Sequence, residues 1–155
     1  MTDVPLNELT ASNAVAKMSS GDITAEELTR ECLNHIEKRE PAVEAWVHLN
    51  PEYALEQART RDRERQLGAR LGALHGVPVA LKDIFDTYDM PTEYGSRRFE
   101  GRCPAIDSFA AQLLRQAGAV ILGKAVTTEI AMMAPGKTKN PHDPTRTPGG
   151  SSSGS

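Results

Sequence analysis

The spacing of apolar and polar positions at the start of the chain predicts an amphipathic helix. Leu9, Val15 and Met18 are separated by polar residues within residues 7–20, and Gly21 follows directly. Apolar side chains distributed in this way are typical of a helix with one buried face, and glycine is common just past a helix end. We therefore expect the first helix to span residues 7–20.

A capping pattern and the helical spacing after it indicate a second helix. Thr24 can accept hydrogen bonds from backbone N–H groups, and Glu27 follows at the position that completes a capping box. Apolar side chains then recur at helical spacing, at Leu28, Cys32, Leu33 and Ile36. Because the residue before a proline avoids the helical conformation, we expect Pro41 to end this helix.

The next segment predicts a short strand followed by a third helix. Residues 45–49 alternate between the two faces of a strand. Pro51 suits the first turn of a helix, and residues 52–67 are highly charged with both signs interspersed. We therefore expect this helix to lie on the surface with a solvated face.

The second half of the chain has the pattern of a strand, a helix and another strand. Residues 77–81 and 119–123 are short apolar runs typical of buried strands. Between them, Asp107 is expected to cap a helix that ends at Gly118. This βαβ order predicts an α/β sheet with some parallel pairing.

The composition is that of a globular protein with one core. The chain has 155 residues, of which 39% are hydrophobic and 25% charged, and its net charge of -3 provides no basic surface for nucleic acid or an anionic membrane. No apolar stretch approaches the roughly 18 residues of a membrane span, and the N-terminus has no signal-peptide pattern. We therefore expect a cytoplasmic protein.

The cysteines and histidines show no metal-binding spacing. Cys32 and Cys103 are far apart, so two reduced thiols are expected rather than a disulfide, with a catalytic cysteine as a minor alternative. The four histidines are scattered and form no HxxH or HExxH pattern. We expect no metal and no cofactor.

Lys82 is the first candidate for chemistry. It follows directly after the apolar run of residues 77–81, so its side chain is expected to be half-buried at a strand end. Burial lowers the pKa of a lysine and makes the amine usable as a base near neutral pH. The alternative is a surface lysine paired with its neighbour Asp83.

A glycine- and serine-rich tract over residues 149–155 is the second candidate. Glycines let a substrate approach the main chain, and serine hydroxyls both donate and accept hydrogen bonds. Flexible linkers have the same composition. A phosphate-binding loop is a further alternative, although the Gly-Lys-Ser/Thr ending of such loops is missing.

Taken together, these pieces resemble the amidase signature family. The resemblance rests on Gly76-Val77-Pro78-Val79-Ala80-Leu81-Lys82-Asp83, Pro91-Thr92-Glu93-Tyr94-Gly95-Ser96, Gly118-Ala119-Val120-Ile121-Leu122-Gly123-Lys124, Thr128-Glu129-Ile130-Ala131 and Pro148-Gly149-Gly150-Ser151-Ser152-Ser153-Gly154-Ser155. It covers residues 76–155 as the first part of an α/β core, while residues 1–75 fit more loosely as a helical N-terminal part. The resemblance implies the N-terminal part of an amidase signature fold, a mixed central sheet flanked by helices.

The resemblance also implies amide hydrolysis through a Ser-cisSer-Lys triad. Lys82 matches the base, and Ser151 matches the serine that bridges base and nucleophile, with a cis peptide bond between Gly150 and Ser151. Ser152 matches a neighbour that helps to hold the lysine, and Gly149 and Gly150 support the loop. The family's nucleophilic serine and oxyanion hole lie well beyond the bridging serine, so residues 1–155 alone are expected to be inactive.

Substrate contacts are expected from the segment after the second buried strand. Thr127, Met132 and Met133 match positions that border the acyl pocket of such enzymes. Ser153 and Ser155 receive no chemical role. The complete enzyme is expected to bind a small-molecule amide, without direct contact to nucleic acid or membrane, and homodimer formation is left open.

Two other functions remain open beside a small-molecule amidase, which the wording of the motifs favours. One is the glutamine-hydrolysing A subunit of a tRNA-dependent amidotransferase, which belongs to the same family. The other is a truncated, non-catalytic interaction domain, and a free chain of this kind is expected to expose the apolar faces of residues 77–81 and 120–122.

Overall fold

A computed structural model describes residues 4–155. Residues 1–3 lie outside the described residues. They belong to the predicted N-terminal region and to the segment examined for a signal peptide. The helices and strands are α1 (Ala11–Ser20), α2 (Ala25–Val43), β1 (Trp46–Leu49), α3 (Pro51–Gln66), β2 (Pro78–Lys82), α4 (Phe109–Gln116) and β3 (Val120–Ala125). Short 3-10 turns occur at Leu6–Glu8, Arg97–Phe99 and Glu129–Ala131.

The first helix is shorter than expected. Its predicted N-terminal part is a 3-10 turn, and α1 begins at Ala11 because the Thr10 hydroxyl accepts a hydrogen bond from the Asn13 N–H at 3.2 Å. Gly21 ends the helix as predicted, with a φ of 84° that suits a residue without a side chain.

Helix α2 confirms the capping box and contradicts the predicted end. The Glu27 N–H donates to the Thr24 hydroxyl at 3.0 Å, and the Thr24 N–H donates to the Glu27 carboxylate at 2.8 Å. Pro41 lies inside the helix, which continues to Val43. A proline lacks the N–H donor and its ring crowds the carbonyl four residues earlier. Only two helical residues follow Pro41, and the helix ends before Glu44, where φ is 55°.

The start of α4 also differs from the prediction. The Ser108 hydroxyl accepts a hydrogen bond from the Ala111 N–H at 3.4 Å, so Ser108 caps this helix. The carboxylate of Asp107, the predicted cap, accepts a hydrogen bond from the Tyr88 N–H at 3.1 Å. The predicted end is confirmed, since Gly118 follows α4 with a φ of 86°.

The three strands form one mixed sheet in the order β1-β3-β2. Strand β1 is antiparallel to β3, with Trp46 opposite Ala125 and Leu49 opposite Gly123. A side chain at Gly123 would collide with the carbonyl oxygen of His48, so glycine permits the close approach of these two strands.

Strands β2 and β3 run in the same direction, as the βαβ pattern predicts. The Val120 N–H donates to the Val77 carbonyl at 2.8 Å, and the Asp83 N–H donates to the Ala125 carbonyl at 2.9 Å. Both strands advance together between these two bonds, which defines a parallel pair. The expected α/β architecture with a mixed sheet is therefore confirmed.

The chain divides into two compact units. One takes in the chain up to Glu37 together with Asn50–Val79 and Leu113–Leu122. The other comprises Lys38–Leu49, Ala80–Gln112 and Gly123–Ser155. The units interleave along the chain, and the division into residues 1–75 and 76–155 stays a prediction.

The first unit has a helical layer packed on its strand segments. Helix α3 is highly charged, as predicted for a surface helix, but Ala54 and Ala58 on its inner face are fully buried. An added side chain at Gly76 would lie 2.6 Å from the sulfur of Met18 and 2.8 Å from the Cβ of Ala25. The chain entering β2 therefore packs closely against α1 and α2.

The expectation of exposed apolar strand faces is wrong for β3 and is met in part in β2, where Pro78 and Val79 are partly exposed. Val77 and Leu81 in and beside β2 are buried, and Val120, Ile121 and Leu122 of β3 are at most 5% exposed. Ala80 is the exposed residue of β2. Within the first unit, helix α3 lies against β3, since the Gln57 amide hydrogen-bonds to the Ile121 main chain.

Candidate active site

Lys82 is held at the end of β2 with its side chain half-buried, as the sequence predicts. The main chain is fixed directly after it by the hydrogen bond from the Asp83 N–H to the Ala125 carbonyl. The Lys82 Nζ lies 2.5 Å from the Ser151 Oγ, which accepts a hydrogen bond from the amine. The fold thus brings together two side chains that are 69 positions apart in the sequence.

Ser151 is positioned by main-chain hydrogen bonds to the segment that follows β3. The Thr128 N–H donates to the Ser151 carbonyl at 3.0 Å, and the Gly154 N–H donates to the Val126 carbonyl at 3.0 Å. A side chain at Gly154 would contact the Ala45 carbonyl oxygen and lie 2.6 Å from the Val126 nitrogen. The loop therefore lies flat against this segment, which fixes the Ser151 hydroxyl at Lys82.

The remainder of the glycine- and serine-rich loop varies in exposure. Gly149 and Gly150 are exposed, and the peptide bond between Gly150 and Ser151 is cis, as the resemblance implies. Ser152 is also exposed, so its supporting role at Lys82 stays a prediction. Ser153 is 5% exposed, and its hydroxyl has no hydrogen-bond partner among the described residues.

A fully buried ion pair lies beside Lys82. The Lys124 Nζ contacts the Asp83 carboxylate at 3.2 Å and donates to the Thr92 hydroxyl at 2.6 Å and to the Pro91 carbonyl at 3.2 Å. Both charged side chains are 0% exposed. The alternative that Lys82 is a surface lysine paired with Asp83 is therefore wrong, because Asp83 pairs with Lys124.

Burial dominates the ionisation of this pair. Loss of hydration raises the pKa of Asp83, although the Lys124 ammonium and the N–H groups of Glu93 and Gly95 favour its charged form. Burial likewise lowers the pKa of Lys124, opposed by the Asp83 carboxylate. Sequence reasoning assigned Lys124 no role, because an isolated lysine in a strand pattern does not reveal its partner.

A cavity of about 550 Å³ opens next to Ser151. Its wall includes Ser151, Gly149 and Gly150 from the loop and Met132 and Met133 from the segment after β3. The two methionines are 70% and 91% exposed, so their flexible thioether side chains face open space. The structure therefore places the predicted Met132 and Met133 beside the cavity.

Thr128, and not the predicted Thr127, lines this cavity. Thr127 is 1% exposed, and its hydroxyl donates to the Thr128 carbonyl at 3.0 Å. Strand-like alternation sends the two threonines in different directions, and the sequence alone does not show which of them faces the loop.

The contact between Lys82 and Ser151 is suited to proton transfer. A serine hydroxyl both donates and accepts hydrogen bonds, so it can pass a proton between an amine and a third group. Because Ser151 also lines the cavity, that third group can belong to a molecule or side chain that occupies it.

The described residues contain no cluster of candidate metal ligands. Residues 4–155 contain no group of three or more His, Cys, Asp or Glu side chains arranged to hold a metal ion. Cys32 and Cys103 are both free, and burial raises the pKa of the half-buried Cys32 thiol. None of the described helices is long and apolar enough to cross a lipid bilayer.

Curated proteins with similar sequences include A subunits of glutamyl-tRNA(Gln) amidotransferase. The subunit from Chloroflexus aurantiacus is 45% identical over 156 residues, which cover 97% of this chain and 32% of that protein. The subunit from Streptomyces avermitilis is 44% identical over 163 residues, which cover 100% of this chain and 32% of that protein. The chain thus spans about a third of the length of the curated relatives it matches.

Solved structures of amidases have the same fold as this chain. The peptide amidase of Stenotrophomonas maltophilia is 36% identical with a TM-score of 0.89, and the match covers 97% of this chain and 34% of that enzyme. A bacterial aryl acylamidase of the amidase signature family is 26% identical with a TM-score of 0.89, covering 97% of this chain and 33% of that enzyme. The expected amidase signature fold is confirmed.

The family comparison agrees with the relatives and with the fold. The sequence model of the family described as Amidase matches residues 27–155, which is most of the chain. The chain therefore belongs to the amidase family, whose members are the amidase signature enzymes.

Proposed function

We propose that the complete protein hydrolyses carboxylic amides and that Lys82 and Ser151 form its proton relay. The observation that carries this proposal is the 2.5 Å hydrogen bond between the Lys82 Nζ and the Ser151 Oγ. This contact lies at a cavity of about 550 Å³ that has Ser151 in its wall. Membership of the amidase family supports the same chemistry.

The relay activates a nucleophile that lies in the remainder of the protein. A serine hydroxyl is a weak nucleophile until a base takes its proton. Neutral Lys82 accepts a proton from Ser151, while Ser151 takes one from the nucleophilic serine. The nucleophile's oxygen then bonds to the substrate carbonyl carbon, and backbone N–H groups stabilise the resulting oxyanion.

The same relay runs in reverse when the intermediate collapses. The Lys82 ammonium returns its proton through Ser151 to the leaving nitrogen, and the C–N bond breaks to release ammonia or an amine. Water then attacks the acyl-enzyme with the relay as base, which releases the acid and restores the serine. Residues 1–155 alone are proposed to be inactive, because they supply the base and the bridge without the nucleophile.

Other residues have supporting roles in this proposal. Gly149, Gly150 and Ser152 support the loop that carries Ser151. Met132 and Met133 contact the apolar part of the substrate, which their exposed positions at the cavity support. Thr127 does not line the cavity, and it supports Thr128 in the cavity wall through the hydrogen bond from its hydroxyl to the Thr128 carbonyl.

The remaining expectations are kept as parts of the proposal. Residues 1–75 form a helical N-terminal part and residues 76–155 the first part of the catalytic core. The complete protein works in the cytoplasm on a small-molecule amide, and homodimer formation stays open.

A second candidate function is favoured by the curated relatives. The A subunit of glutamyl-tRNA(Gln) amidotransferase from Chloroflexus aurantiacus is 45% identical to this chain, which supports a glutamine-hydrolysing subunit that works with protein partners. Ammonia release from glutamine that requires an added partner subunit favours this candidate. Turnover of small amides by the protein without partners favours the first.

The test of the relay uses the full-length protein with two substitutions. Lys82→Ala removes the base and Ser151→Ala removes the bridge, so each is expected to lower kcat by about 100-fold to 10,000-fold. Ammonia release from small carboxamides and from glutamine is the measurement. Lys38→Ala, at an exposed position on α2, is the matched control and is expected to keep the original rate.

Wild-type rates in either the Lys82 or the Ser151 variant contradict the proposed relay. If Lys38→Ala loses activity as well, the loss is a general effect of removing a lysine. This result also counts against the assignment.

A further inference from the structure

The wall of the cavity contains a tight turn of residues that rarely adopt its backbone conformation. The turn is Glu129–Ala131, and φ is 48° at Ile130 and 54° at Ala131. A β-branched residue with positive φ is strained, and such a conformation persists only where surrounding contacts enforce it. Ala131 and the next residue, Met132, line the cavity, so its shape depends on what holds this turn.

Thr128 connects the turn to Ser151. Its hydroxyl donates to the Met132 carbonyl at 2.7 Å, and its N–H donates to the Ser151 carbonyl at 3.0 Å. One residue therefore contacts both the end of the turn and the main chain of the proposed bridging serine.

A second segment, residues 92–96, holds the same turn. The Ser96 hydroxyl donates to the Glu129 Oε1 at 2.7 Å, and the Ile130 N–H donates to the Tyr94 carbonyl at 2.8 Å. Ser96 is 9% exposed, whereas the Glu129 side chain is exposed. The first of these bonds is made by two side chains and can be removed without altering the main chain.

The segment 92–96 is itself fixed to the buried ion pair. The Asp83 carboxylate accepts a hydrogen bond from the Glu93 N–H at 3.1 Å, and the Thr92 hydroxyl accepts one from Lys124 at 2.6 Å. Asp83 directly follows Lys82 in the chain. Hydrogen bonds at both sides of segment 92–96 therefore connect Asp83, at the end of the strand that carries the base, with the turn in the cavity wall.

We propose that Ser96 and Glu129 are positioning residues that set substrate binding by fixing this turn. The inference rests on the proposed function, since it requires the amide to occupy the cavity beside Ser151. Neither residue lines the cavity, so both act through Ala131 and Met132. Neither the bond from the Thr128 N–H to Ser151 nor the contact between Lys82 and Ser151 involves this pair, so the effect falls on KM more than on kcat.

The alternative is that the Glu129 charge acts on the substrate directly. Glu129→Gln separates the two cases, because the amide oxygen of glutamine can still accept the Ser96 hydrogen bond although the charge is gone. Glu129→Ala removes the acceptor and the charge together. Ser96→Ala removes the donor and keeps the charge.

The experiment compares these three variants in the full-length protein. Amide hydrogen exchange of residues 129–133 is expected to rise roughly 10-fold in Glu129→Ala and in Ser96→Ala, the factor that one lost hydrogen bond of ordinary strength gives. KM for an amide substrate is expected to rise roughly 10-fold in the same variants, since a displaced wall binds the substrate poorly. Glu129→Gln is expected to stay close to wild type in both measurements, with kcat nearly unchanged in all three variants.

Glu37→Ala is the control, because Glu37 is an exposed residue of α2. Faster exchange without a change in KM means that the pair is only structural, and the inference is then wrong. It is also wrong if Glu129→Gln behaves like Glu129→Ala, since the charge is then responsible. If Lys82→Ala keeps full activity while Glu129→Ala raises both exchange and KM, the relay fails and the positioning role stands.

Discussion

At the residue scale, Lys82 and Lys124 both lie near the end of an apolar strand, but they contact different partners. Lys124 is fully buried, and a buried ammonium requires a partner, which Asp83 provides. The Asp83 carboxylate is thereby occupied, and the adjacent Lys82 is free to contact Ser151. Asp83 thus pairs with the buried lysine, while the lysine next to it in the chain contacts the cavity loop.

The buried pair leads to a prediction about stability. Lys124→Met leaves the Asp83 carboxylate buried without its partner and is expected to lower the free energy of unfolding by about 3–5 kcal/mol. The double variant Asp83→Asn with Lys124→Met removes both charges and is expected to recover most of the loss. Urea unfolding at pH 7 measures both, with Lys38→Met as an exposed control.

A double variant that is no more stable than Lys124→Met would show that the lost charge pairing is not the cause. In that case the hydrogen bonds from Lys124 to Pro91 and Thr92 carry the stabilisation instead.

At the element scale, several local signals predicted helix boundaries correctly, although those at Pro41 and Asp107 did not, and contacts between distant residues were not predicted. The capping box at Thr24, the stop at Gly21 and the start of α3 at Pro51 depend on neighbouring residues, and all three are confirmed. The Asp62 carboxylate also accepts hydrogen bonds from the Ala25 and Glu26 N–H groups at 2.8 and 3.0 Å. No local pattern reveals this second cap, because Asp62 lies on another helix.

Helix α3 also completes the hydrogen bonds of β3, which leads to a second stability prediction. The Gln57 amide donates to the Ile121 carbonyl at 3.0 Å and accepts from the Ile121 N–H at 3.2 Å. Ile121 lies outside the part of β3 that pairs with β1. Gln57→Ala leaves both backbone groups of a buried strand residue unpaired and is expected to cost about 1–3 kcal/mol of unfolding free energy. Thermal and urea unfolding measure this loss.

Gln66→Ala, at the exposed end of the same helix, is the matched control for this prediction. Equal stability of the two variants would indicate that water replaces the Gln57 side chain at no cost, contrary to the proposed role.

At the scale of the whole molecule, the order of strands and helices predicted the parallel pair, and the resemblance singled out two residues that the structure brings into contact. The antiparallel pairing of β1 with β3 did not follow from the sequence, because the alternation of residues 45–49 specifies a strand and not its neighbour. The contact between Lys82 and Ser151 joins residues 69 positions apart, so spacing alone does not predict it. Family motifs named both residues as candidates, whereas the position of Thr128 in the cavity wall, in place of the predicted Thr127, became evident only from the structure.

The most direct test of the central claim asks whether Lys82 and Ser151 act as one relay. The measurement is kcat for amide hydrolysis by the full-length protein with Lys82→Ala, Ser151→Ala and both substitutions together. Residues that act as a unit give losses that do not multiply, so the double variant is expected to be about as slow as the slower single variant. A double variant whose loss is the product of the two single losses would contradict the relay, because the two residues would then act independently.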